Sequence, residues 1–164
     1  MTTTENLPTP ATERATLPIL DSAAVARAAE EAIGRARELL AKIEALPLER
    51  ASVESVLDAW DETAIVLEDA FGPISLLNSV HPDKDVRDAC DDALLHESSF
   101  LTDVFQNEAF YERVARVAAD SMAAREMQKQ LVEAFEDSGV SLAPEKRKRF
   151  KEISDRLTEL GQEF

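Results

Sequence analysis

Glycine is scarce in this 164-residue chain, with four residues against seven prolines, and a turn-rich β architecture is excluded on that ground. No alternation of apolar and polar residues runs long enough to make a useful strand, and no segment repeats at a fixed period. One cysteine, Cys90, leaves no internal disulfide and fits a reducing compartment; on an apolar helix face it reads as a small buried hydrophobe. Nothing approaches the roughly 20 apolar residues that a membrane span requires. The first twenty residues, MTTTENLPTPATERATLPIL, have no basic region followed by an apolar run of the kind that directs secretion, so the cytoplasm is the expected location. Positive charge is also in deficit. Lys and Arg number 18 against 33 Asp and Glu, a formal net charge of −15. Most of the excess lies between Glu54 and Asp103, where thirteen acids face only Lys84 and Arg87. A surface this negative repels nucleic-acid backbones and anionic lipid, so neither nucleic acid nor membrane is an expected partner.

What is present is helical periodicity, and the length suits one domain. The chain divides into an extended or disordered tail over 1–20, in which Leu17 to Leu20 are apolar enough to dock, and a single helical domain over 21–164. The organising stretch is Ser52 to Val80. Val53, Val56, Leu57, Trp60, Ala64, Leu67, Phe71 and Ile74 recur three or four apart and share one helix face, with the only tryptophan among them. Ser52 with Ser55 behind it makes an N-cap, and Pro73 after Gly72 predicts a kink or break, with the last turn closing near Asn78.

Before it, a helix capped by Asp21 or Ser22 runs to about Leu46 and is stopped by Pro47; the short link makes these two antiparallel neighbours. After it, His81-Pro82-Asp83 opens a third helix with proline in the first helical position. Its inner stripe is Val86, Cys90, Ala93, Leu94, Leu101, Val104 and Phe105. Gln106-Asn107 breaks it, and Glu108 to Ala119 forms a fourth. A fifth covers Ser121 to Asp137 and ends at Ser138-Gly139, glycine being suited to the left-handed position after a helix. Pro144 opens a sixth, in which Phe150, Ile153, Leu157, Leu160 and Phe164 are spaced for burial. That apolar stripe reaches the last residue with no stop signal, which predicts a longer parent polypeptide. Exposed apolar surface on such a fragment would also promote dimerisation.

Candidate chemistry is thin. His96-Glu97-Ser98-Ser99-Phe100 begins like the zinc-peptidase HExxH motif, but Phe100 stands where the second imidazole must be, so two ligands cannot share one helical face. His81 sits at a helix junction and suits capping or hydrogen bonding rather than general-base work, having no nucleophile beside it. The basic run Lys146 to Lys151 is one and a half turns of an amphipathic helix with Phe150 inward, and it suits docking against the acidic central helices or a solvated face. Acidic pairs such as Asp91-Asp92 point in different directions and build neither a dyad nor a calcium loop. No residue is assigned as catalytic, cofactor-binding or metal-binding.

Two stretches carry a resemblance. FGPISLLNSVHPDKDVRDACDDAL, Phe71 to Leu94, and FEDSGVSLAPEKRKRFKEISDRLTELGQEF, Phe135 to Phe164, are similar in order and spacing to segments of the thimet oligopeptidase and oligopeptidase A family of zinc metallopeptidases. The resemblance covers about residues 20–164. It implies an all-α fold, an antiparallel array of about six helices like the N-terminal helical part of a neurolysin-like peptidase. It further implies that the chain is a non-catalytic wall of the channel that admits short peptides. Its partners would then be the catalytic half of the parent polypeptide and short peptide substrates, with zinc belonging to the parent and no cofactor in this chain. The contrasting expectation is a free-standing acidic helical adaptor that binds a partner through an apolar groove.

Overall fold

A computed structural model describes residues 20–162, and the tail expectation for 1–20 falls, apart from Leu20, outside them. Among the described residues the chain is all-α. Six helices follow in order: α1 (Ser22–Glu44), α2 (Ala59–Val80), α3 (Lys84–Phe105), α4 (Glu108–Arg116), α5 (Met122–Asp137) and α6 (Pro144–Gln162). α1, α2 and α3 pack on one another as a three-helix core; α6 lies on α3, and α4 with α5 closes the end where α1 and α3 finish. α1 and α3 run in the same direction. Arg37 lies over Phe100, and Glu44 accepts a hydrogen bond from Asn107, pairings at the same separation of 63 residues.

The first boundaries follow from local side-chain chemistry. Asp21 caps α1, its carboxylate accepting from the Ala24 amide at 2.7 Å. α1 ends at Glu44, two residues before the expected Leu46, and a single 3₁₀ turn (Leu48–Arg50) fills the link. Ser52 and Ser55 satisfy each other's backbone N–H groups in a reciprocal capping box. The next six residues, Val53–Asp58, wind as a π-helix before α2 begins. This wider turn lets the adjacent Val56 and Leu57 both be fully buried.

Of the kink or break expected at Gly72-Pro73, the break does not occur: α2 runs through Pro73 to Val80. Proline removes one amide and leaves the carbonyl four residues back, that of exposed Asp69, without its helical donor. Phe71, Ile74 and Leu77, buried on both sides of the proline, hold the helix in one piece. Thr63 rather than Ala64 occupies the inner face, its hydroxyl donating to the Ala59 carbonyl at 2.8 Å.

Pro82 also differs from expectation, since α3 starts at Lys84 with Asp83 as its cap and the proline stands outside the helix. Asn107 caps α4 by accepting from the Phe110 amide. α4 stops at Arg116, short of the expected Ala119, although Val117 beyond it is buried. Trp60 from α2, Phe105 from α3, Phe110 and Tyr111 from α4 and Phe135 from α5 form one chain of aromatic contacts, with ring centroids 5.1 to 5.6 Å apart. The lone tryptophan therefore ties the central helix to the closing pair.

α5 ends as its Ser-Gly sequence predicts. Gly139 takes φ of +77°, its amide donates to the Glu136 carbonyl, and the Val140 amide donates to that of Phe135. A Cβ at Gly139 would lie 2.6 Å from Leu142 Cδ1, in addition to the left-handed backbone. Gly139→Ala is expected to cost about 1–2 kcal/mol in urea unfolding. A cost near zero would mean that the turn relaxes freely.

Candidate functional site

The residues singled out by their chemistry do not converge. His81 lies at the junction after α2, where its Nδ1 accepts from the Asp83 amide at 3.1 Å and its carbonyl accepts from Arg87. His96 is exposed in the middle of α3. Phe100, one turn on, is buried beneath the Arg37 guanidinium. Cys90 is fully buried, and burial together with the neighbouring Asp91 charge pushes its thiol up. Among the described residues no three His, Cys, Asp or Glu side chains come together to hold a metal ion, and the donor set does not fit zinc. Glu97 does have an unusual environment. Burial, and then the charge of Glu68, raise its carboxyl to about 7. It borders a small cleft lined by Leu101, Thr102 and Phe105.

The basic run docks on acidic and polar groups of its neighbours, as its charge suggests. Lys151 Nζ donates to the Ser99 carbonyl and hydroxyl at 2.8 and 2.7 Å and pairs with Asp103 at 3.1 Å. Arg147 pairs with Glu108 and donates to the Val140 carbonyl. The Thr158 and Ser98 hydroxyls are 3.2 Å apart. α3 thus offers α6 a strip of hydroxyls and carboxylates, and α6 turns its polar side toward it. The consequence overturns the expectation that Ile153 and Leu157 are buried: they are 46% and 64% exposed, and Phe150 is only half-buried. An apolar stripe at helical spacing is left uncovered on α6.

A second surface feature lies between α1 and α3, which are held apart at their upper faces into a trough of about 580 Å³. Its floor is small or apolar, with Ala29, Ile33, Ala93 and Phe100 along it. Glu30 and Asp92 stand on opposite walls. This trough had no signal in the sequence motifs, because it is made by small side chains on two separate helices that only the parallel register brings together.

No family model matches the chain. Curated relatives do. It is 34% identical to Oligopeptidase A of Salmonella typhimurium in an alignment of 133 positions that covers 70% of this chain and 20% of that protein. It is 34% identical to Oligopeptidase A of Escherichia coli over 117 residues, 68% of this chain and 17% of that protein. The same identity holds against Oligopeptidase A of Haemophilus influenzae over 109 residues, 63% of this chain and 16% of that protein. The chain therefore spans about a fifth or less of the length of the curated relatives it matches. Among the described residues no helix is long and apolar enough to cross a membrane. The six-helix all-α fold and these three matches agree with the resemblance carried by Phe71 to Leu94 and Phe135 to Phe164, and the chain belongs to the oligopeptidase A family, fitting its N-terminal region.

Proposed function

We propose that this chain is the N-terminal helical segment of a zinc-dependent oligopeptidase of the cytoplasm. It forms one wall of the channel that admits short peptides and contributes no zinc ligand of its own. The observation that carries this reading is α6. A helix whose Ile153 and Leu157 are spaced for burial yet lie in water has a face shaped for a neighbour, and the reading supplies one: the catalytic half of the parent polypeptide. The matches support it, since the chain is similar to a stretch of Oligopeptidase A that makes up a fifth or less of that protein. On this reading the helices act by position. They exclude folded proteins sterically and leave metal binding and water activation to residues elsewhere in the parent.

The test uses the chain itself. A quenched decapeptide should remain uncleaved with and without added zinc, and the purified chain should retain no stoichiometric metal after dialysis. Turnover, or one tightly held zinc per chain, overturns the proposal. The adaptor reading is favoured by one observation, the trough between α1 and α3, which is a groove with an apolar floor. Sequencing the gene for an HExxH codon run in frame after Phe164 separates the two: such a run supports the peptidase segment, and a stop codon supports the adaptor.

A further inference from the structure

The trough between α1 and α3 has a composition that specifies more than an empty space. Its floor residues are alanine, isoleucine and phenylalanine, and polar groups, His96 and Ser99 among them, stand around that floor. Gly34 lines it from the middle of α1, and a Cβ built there would meet nothing within 4 Å. A glycine inside a helix destabilises it relative to alanine, and no close contact at its Cβ position requires one here. What its missing side chain does is keep the trough open.

Charge then selects the occupant. Along α1 the trough extends from Ala26 to Arg37, about 16 Å at helical rise. That length holds about five residues of extended peptide. At the far end Arg37 is engaged with the Phe100 ring, and Asp103 is neutralised by Lys151. At the near end Glu30 of α1 and Asp92 of α3 both line the trough at nearly the same level of the parallel register, and among the described residues neither has an ion-pair partner. Two unneutralised carboxylates over an alanine floor suit a cationic side chain whose aliphatic stem lies on the alanines while its head group reaches both acids.

We propose that the α1/α3 trough is a docking surface for an extended segment of a partner protein that carries a Lys or Arg flanked by small apolar residues. The cation sits between Glu30 and Asp92, and the flanking residues lie over Ala29, Ile33 and Ala93. The surface would act in this way whether or not the chain also serves as a channel wall.

Fluorescence anisotropy on the full chain tests this, with fluorescein-labelled, amidated Ala-Lys-Ala-Lys-Ala as the probe peptide and its Glu counterpart as the comparison. The lysine peptide is expected to bind and to be weakened by added salt, and the glutamate peptide is expected not to bind. The double variant Glu30→Gln/Asp92→Asn should weaken binding about tenfold or more. Gly34→Leu, whose Cβ would meet nothing within 4 Å and whose branched end would occupy the trough, should do so as well, with the helicity of both variants unchanged. A net charge of −15 attracts any cation, so the decisive control removes the same two charges elsewhere, with Asp61→Asn/Glu62→Gln on the exposed side of α2. That variant should bind as the unaltered chain does. Equal loss in the control, no loss in Gly34→Leu, or no binding of the lysine peptide at all overturns the proposal. So does binding that appears only as the chain self-associates in sedimentation, since the trough would then serve a second copy.

Discussion

Phe135→Ala is expected to destabilise the chain by about 3–5 kcal/mol in urea unfolding, the largest effect of any single substitution considered. Phe135 is fully buried, and its ring meets Phe105 at 5.4 Å, Phe110 at 5.1 Å and Tyr111 at 5.6 Å. Three of those partners' edges or faces lose their neighbour at once, and such aromatic contacts are worth about 0.5–1.5 kcal/mol each beyond the area they bury. The residue also sits where α5 turns, since its carbonyl accepts from the Val140 amide and Val140 is itself buried. The cavity left by the deletion therefore opens beneath the one turn that leads to α6. A domain of this size has only about 5–15 kcal/mol in hand, so the variant should show a markedly lower urea midpoint and bind a hydrophobic dye. Leu157→Ala supplies the comparison. At 64% exposure it should change stability by less than about 0.5 kcal/mol, although sequence spacing places it on the inner stripe of its helix. If the two variants were equally destabilised, the orientation of α6 described above would be wrong.

That contrast between Phe135 and Leu157 marks how far the sequence could be read. Phe135 belongs to a helix whose apolar face meets an apolar partner, and on such faces periodicity assigns burial correctly, as it does for Trp60, Leu67, Val86 and Cys90. The caps were equally legible: Asp21, Ser52 and Gly139 each do what their side chains, or lack of one, are suited to do. Leu157 could not be placed by its own helix. Periodicity locates an apolar face but does not say whether this chain contains its partner, and the α3 surface available to α6 is polar. The helix is unbroken at Pro73 for a related reason, because the local cost of a proline is set against long-range burial of Phe71, Ile74 and Leu77 that a local signal does not contain. The trough is the extreme case. Ala29, Gly34 and Ala93 carry no chemistry in sequence, and they matter only because two helices of equal direction place them side by side.

Glu97→Gln is expected to stabilise the chain at neutral pH and to do nothing at low pH. Burial raises the Glu97 carboxyl from the ordinary 4.5 to about 7, and the nearby Glu68 carboxylate adds to the rise. Between those two values the folded chain keeps a proton that the unfolded chain has already released, so stability falls as the pH rises through this window. Below 4.5 both states are protonated and the side chain behaves as a neutral group. Above 7 the folded state must carry a half-buried anion facing Glu68, and the loss is complete. The full shift would amount to about 3 kcal/mol for an enclosed group. Glu97 is only half-buried, and solvent screening reduces the expected gain from glutamine to about 1–2 kcal/mol. Glu68→Gln should recover a smaller part of it over the same window, because the neighbouring charge is the lesser of the two causes. The measurement is the difference in unfolding free energy between each variant and the unaltered chain at a series of pH values. That difference cancels the many carboxylates common to both and isolates one titration. A gain for Glu97→Gln that is already present at pH values below 4.5 would show that packing rather than ionisation is responsible. A gain that grows through the window and levels off near 7 would place a protonated carboxyl on the α3 face beside Glu68, where the α2–α3 pair loosens as that proton leaves.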